Sequence, residues 1–162
     1  MSGFVPIIMG SKSDLEHGRA IAKALEAFGI PSELRVASAH KATRYVLEML
    51  AAYEADPRPK VYITIAGRSN ALSGVVDANV TAPVIACPPY SDRFGGADVF
   101  SSLRMPSGVA PAVVLEPSGA ALLAAKILAL SDPALRDRIR SMQQEATEQI
   151  VAADRELTGA QD

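Results

Sequence analysis

The chain has no tryptophan, few aromatic residues of any kind (5%), one cysteine and two histidines. A single cysteine, Cys87, excludes an intramolecular disulfide. An interior poor in rings must be built from Ala, Val, Ile and Leu, and a hydrophobic content of 49% is enough to supply it. At 162 residues one domain over 1–162 is expected, burying roughly two-thirds of its unfolded surface without staples. His17 and His40 are far apart in sequence, with no cysteines or acids at ligand spacing, so no zinc site is expected. No apolar run approaches the ~18 residues of a membrane span. The first residues also lack a signal peptide's basic region and long apolar core, so a cytoplasmic location is expected. A net charge of −2 and a pI near 5.7 leave no broad basic face for nucleic acid, although small anions remain open as ligands. Neither a Walker loop nor the Rossmann glycine fingerprint occurs.

What is present alternates regularly. Short β-branched runs at Phe4–Met9, Glu33–Ala37, Val61–Ala66, Pro83–Cys87 and Ala112–Leu115 read as strands. Stripes at spacings of three and four read as helices over Asp14–Phe28, Lys41–Glu54, about Asn70–Val76, and Ser118, as cap, through Leu130. One or two helical turns are expected within Asp98–Arg104. Ser131-Asp132-Pro133 caps a last, more charged helix to about Leu157, and Thr158–Asp162 should fray. The pattern predicts an α/β domain, a three-layer flavodoxin-like five-stranded parallel sheet with an extra C-terminal helix. Ile139, Met142, Ala146, Ile150 and Ala153 give that helix an apolar side suited to a neighbouring subunit.

In such a sheet every strand's carboxyl end lies on one edge, so the loops that follow the strands converge there. Gly10, Ser11 and Ser13 make a small-residue turn into a helix N-terminus, where backbone N–H groups and the helix dipole favour a phosphate. Lys12 and Lys41 would add charge, and Asp14 would accept from ribose hydroxyls. A plainer reading makes Ser11 or Ser13 a helix cap. Gly67-Arg68-Ser69-Asn70 repeats the design and suits a second anion or a developing carboxylate, or is an ordinary tight turn. His40 is the titratable group in these loops that, unperturbed, exchanges a proton near neutral pH; taken alone, it also reads as a helix-start hydrogen-bonding residue. His17 reads as a surface side chain and Cys87 as a small buried one.

Taken together, the loops resemble the phosphoribosylaminoimidazole carboxylase family of purine biosynthesis, from about Val5 to Leu130. The likeness rests on Met9-Gly-Ser-Lys-Ser-Asp14, Ser38-Ala39-His40-Lys41, Ala66-Gly-Arg-Ser-Asn70 and Ser101-Ser-Leu-Arg-Met-Pro-Ser-Gly108. Lys41, Gly67-Arg-Ser-Asn70 and Ala86-Cys-Pro-Pro89 are similar to the class II branch, which uses carbon dioxide directly.

The resemblance implies reversible carboxylation of 5-aminoimidazole ribonucleotide at C4 by carbon dioxide. No cofactor is implied, because the amino group already makes the imidazole an enamine-like nucleophile. Proton transfer falls to His40, the phosphate to Ser11, Ser13 and Lys41 beside Gly10, Ser38 and Ala39, and the ribose to Asp14. Gly67, Arg68, Ser69 and Asn70 would frame the carboxylate end, while Met105, Pro106, Ser107 and Gly108 close over the base. A homo-octamer is implied. The alternatives are the class I mutase, which shifts a carboxylate from N5 to C4 of the same nucleotide, and a non-catalytic nucleotide-binding flavodoxin-like module.

Overall fold

The computed structural model describes residues 3–159. Five parallel strands, β1 (Val5–Met9), β2 (Ser32–Val36), β3 (Tyr62–Ile65), β4 (Val84–Ala86) and β5 (Ala112–Val113), lie in the order β2-β1-β3-β4-β5. This is the flavodoxin-like order, whose crossovers reverse direction beside β1 and β3 and open a crevice at the strands' carboxyl ends. The helices are α1 (Leu15–Ala27), α2 (Thr43–Glu54), α3 (Ala71–Asp77), α4 (Phe100–Leu103), α5 (Pro117–Leu128) and α6 (Pro133–Thr158). Among the described residues no helix is long and apolar enough to cross a membrane.

The central strands are buried on both faces, which is why they read as continuous apolar runs rather than alternating ones. Val5, Ile7 and Met9 face a core completed by Ile63, Ile65 and Ile85 with α1, α5 and the start of α6. Ile8, Tyr62 and Val84 face the opposite core with α2 and α3. Gly18 lets α1 lie close on the sheet, since a Cβ there would stand 2.8 Å from Met9 Sδ.

Several boundaries differ from the sequence reading. Helix α5 starts at Pro117, so Ser118 is inside the helix and does not cap it; Glu116 holds the cap position without a side-chain bond. Proline at the first helical position has no N–H to satisfy and a preset φ, which makes a hydroxyl cap dispensable. Helix α2 begins at Thr43, leaving His40 and Lys41 in the preceding turn. Asp132 does cap α6, its Oδ1 accepting from Leu135 N at 3.0 Å. That helix runs through Thr158, so fraying at 158 is not seen; residues 160–162 lie outside those described. From Arg140 to Gly159 every residue of α6 and its cap is exposed.

Candidate active site

The first wall of the crevice is the turn after β1. Ser11 Oγ accepts from Ser13 N at 3.2 Å and from Ser13 Oγ at 2.9 Å, and Asp14 N donates to Ser11 O at 3.1 Å. The capping reading of Ser11 therefore holds for a 3-10 turn, Lys12–Asp14, that leads into α1. Asp14 precedes α1 without bonding its N-terminus through the side chain, so its carboxylate remains at the crevice. Burial pushes the Asp14 carboxyl up, against hydrogen bonds from Ser11 and Ser13 and the nearby His17 that pull it down.

The second wall is the turn after β2. Lys41 N donates to Ser38 Oγ at 3.3 Å and Ala42 N to Ser38 O at 2.8 Å, while Thr43 Oγ1 donates to Ala39 O at 2.5 Å. These bonds fold 38–42 into a closed turn with buried Ala39 as its pivot and exposed His40 at its tip. The backbone under His40 is thus fixed while the ring faces the crevice.

The third wall follows β3. Arg68 adopts φ 58, a left-handed conformation uncommon for a residue with a side chain. Its N–H donates to Asp98 Oδ2 at 3.1 Å, and Asn70 N donates to Ser101 Oγ at 3.0 Å. The segment 98–102 therefore takes up loop amides that the sequence reading had offered to an anion. Asn70 itself is buried (4% exposed) as the cap of α3. Its Oδ1 accepts from Ser73 N and Oγ, and its Nδ2 donates to Ser102 Oγ at 2.8 Å. Gly67, Arg68 and Ser69, not Asn70, line the opening.

These walls enclose a cavity of about 580 Å³. Gly10, Ser11, Ser13, Asp14, Ser38, Ala39, His40, Lys41, Gly67, Arg68 and Ser69 all line it. Ala66, Leu72, Pro89, Ser91, Arg93 and Asp98 complete the lining. Three cations, Lys41, Arg68 and Arg93, meet two carboxylates, Asp14 and Asp98, so the crevice carries a surplus of positive charge although the chain is acidic. Lys12 does not line it. Nor do Met105, Pro106, Ser107 and Gly108: Met105 packs over Gly74 of α3, and Ala110 N donates to Asp77 Oδ2 at 2.7 Å, holding that turn against α3.

The sequence reading gave no site role to Pro89, Ser91, Arg93 or Asp98. Nothing periodic distinguishes them, and they meet the crevice only because the loop folds back over α3. His17 is half-buried rather than on the surface. Its Nε2 lies 3.1 Å from Cys87 O and 3.3 Å from Cys87 Sγ, and burial lowers its pKa. Cys87 is fully buried, as expected.

A doubly wound domain that gathers a serine turn, one histidine and three cations in a single crevice can hold a small anionic molecule beside an imidazole. Residues 4–149 match the family described as AIR carboxylase. A phosphoribosylaminoimidazole carboxylase of Treponema denticola is 54% identical over 157 residues, covering 97% of this chain and 99% of that protein. One from Archaeoglobus fulgidus is 56% identical over 151 residues, covering 93% and 83%. The crystal structure of Treponema denticola PurE superposes with a TM-score of 0.94 over 96% of this chain and 98% of that one, at 54% identity. The chain belongs to the AIR carboxylase family and is an enzyme, with that family's carboxylase or mutase role in purine biosynthesis.

Proposed function

We propose that the enzyme catalyses the reversible carboxylation of 5-aminoimidazole ribonucleotide with carbon dioxide, giving 4-carboxy-5-aminoimidazole ribonucleotide in de novo purine biosynthesis. The observation that carries this reading is the convergence of the Gly10–Asp14 turn, His40–Lys41 and Gly67–Ser69 on one cavity. The phosphate lies by Ser11, Ser13 and Lys41, and Asp14 accepts from the ribose. The imidazole then projects toward His40 and Arg68. C4 attacks carbon dioxide, a C–C bond forms, and the C4 proton passes to the His40 imidazole. The new carboxylate gains the positive field of Arg68. The protein's part is to hold the two reactants in register and to keep water from a reversible adduct.

Lys41 and the Gly67-Arg68-Ser69-Asn70 loop support direct use of carbon dioxide over the N5-to-C4 shift. Separate supply of the substrates tests it: aminoimidazole ribonucleotide with bicarbonate and carbonic anhydrase should be turned over. Turnover of the N5-carboxylated ribonucleotide alone would make the enzyme a mutase.

The homo-octamer implied by the family resemblance is the assembly proposed, and the exposed stretch of α6 offers a surface for a neighbouring subunit. About 20 residues at 1.5 Å each extend roughly 30 Å past Ile139, the last buried residue of that helix, and Met142 and Ile150 are exposed on it. Light scattering of purified protein should give eight times the chain mass.

A further inference from the structure

Cys87 stands where β4 ends. Its N–H completes the ladder by donating to Thr64 O at 2.8 Å, and the chain then enters Pro88-Pro89, where neither residue has a backbone donor. Cys87 is fully buried, so its carbonyl needs a donor from elsewhere in the protein. His17 Nε2 is 3.1 Å away. A carbonyl at that distance faces an N–H and not a lone pair, so Nε2 carries the proton, with Cys87 Sγ at 3.3 Å as a second, weaker acceptor. The lowered pKa of His17, which follows from its burial, agrees with a neutral ring.

The two ends of this bond belong to two chain segments that border the substrate cavity. His17 lies three residues after Asp14 on the same helix side, and Cys87 lies two before Pro89. Ser13, Asp14 and Pro89 line both the substrate cavity and a second, more open cavity of about 410 Å³, whose wall includes His17. Two chain segments, the start of α1 and the chain after β4, thus border both cavities, and the His17 bond to the Cys87 carbonyl ties one segment to the other.

We propose that His17 is a positioning residue for the ribonucleotide: as an Nε2–H donor to the Cys87 carbonyl, it fixes Asp14 against Pro89 and so sets the width of the ribose-phosphate end of the cavity. This rests on the reading that the ribose phosphate occupies the Ser11–Asp14 wall. His17 does not touch the reacting carbon, so it acts on binding and not on the proton transfer at His40.

Steady-state kinetics and calorimetric ribonucleotide binding of His17→Leu, His17→Gln and His17→Asn test it. Loss of one hydrogen bond is worth about a factor of ten, so His17→Leu should raise KM and Kd about tenfold while kcat changes less than threefold. Gln places an amide N–H where Nε2 stood and should return KM to within threefold of wild type. Asn is too short to reach and should behave as Leu does. A folded His17→Leu with wild-type KM overturns the proposal, as does equal binding by the Gln and Asn variants, a comparison that stands even where the Leu variant fails to fold. A purely structural role would lower the melting temperature of all three and leave KM unmoved. Failure of the functional reading is separate: wild-type protein would then not bind the ribonucleotide at all.

Discussion

Replacing Asn70 by alanine removes the centre of a buried polar chain that holds the third wall of the site. Thr64 Oγ1 and Ser73 Oγ lie 2.7 Å apart, Ser73 Oγ donates to Asn70 Oδ1 at 2.9 Å, and Asn70 Nδ2 donates to Ser102 Oγ at 2.8 Å. All four residues are at most 4% exposed. The substitution removes the cap of α3, worth about 1 kcal/mol. It also leaves the Ser102 hydroxyl buried without its Asn70 partner, at about 1–3 kcal/mol. Ser73 keeps Thr64, so its loss is smaller. The sum is about 2–4 kcal/mol, or roughly 5–15 °C in melting temperature for a domain of this size. Urea unfolding followed by circular dichroism at one fixed protein concentration should show a lower midpoint at unchanged m. A loss below about 1 kcal/mol would mean that the network is not sealed and that water or a rotated hydroxyl replaces Asn70, which would refute the assignment of this residue to holding the wall.

Three further outcomes are expected. His40→Asn should bind ribonucleotide within about tenfold of wild type and lose roughly 10²–10⁴ in turnover; unchanged kcat would remove His40 from proton transfer. Arg68→Gly relieves a left-handed backbone that costs about 1 kcal/mol in a residue with a Cβ, so its melting temperature should not fall although turnover does, and a drop of several degrees would show that the guanidinium holds the loop. Burial pushes the Cys87 thiol up to about 12 from an ordinary 9.0. As pH rises past 9 the unfolded chain releases this proton while the folded chain keeps it, so stability falls through that window. Between pH 8 and pH 10 wild type should lose about 1 kcal/mol more than Cys87→Ala in chemical denaturation; equal losses would mean that the thiol titrates normally in the folded protein.

Much of this was legible in the chain. Each central strand stands out because a parallel strand buried on both faces must be apolar at every position, and no other element of this length has that signature. Capping chemistry is equally local, so Asp132-Pro133 announced α6. Ser118 misled because a serine near a helix start is a weaker signal than a proline at its first position. His17 misled for a different reason. Its helical spacing placed it beside Asp14, but nothing in the sequence says that the end of β4 passes within hydrogen-bond reach, 70 positions later.

The sequence by itself determined the alternation of strands and helices, the serine turn after β1 and the histidine turn after β2, because these depend on spacing and on residues adjacent in the chain. Tertiary structure alone decided which residues from Asn70 onward share the cavity. Asp98 and Arg93 enter it, Met105–Gly108 stay on α3, and Asn70 turns inward as a cap. Those outcomes depend on the path of a long loop over α3, where hydrogen bonds to Arg68, Asn70 and Asp77 are formed by residues about 30 positions apart. No local pattern encodes such a path; it is fixed only when donors and acceptors distant in sequence find one another in the packed molecule.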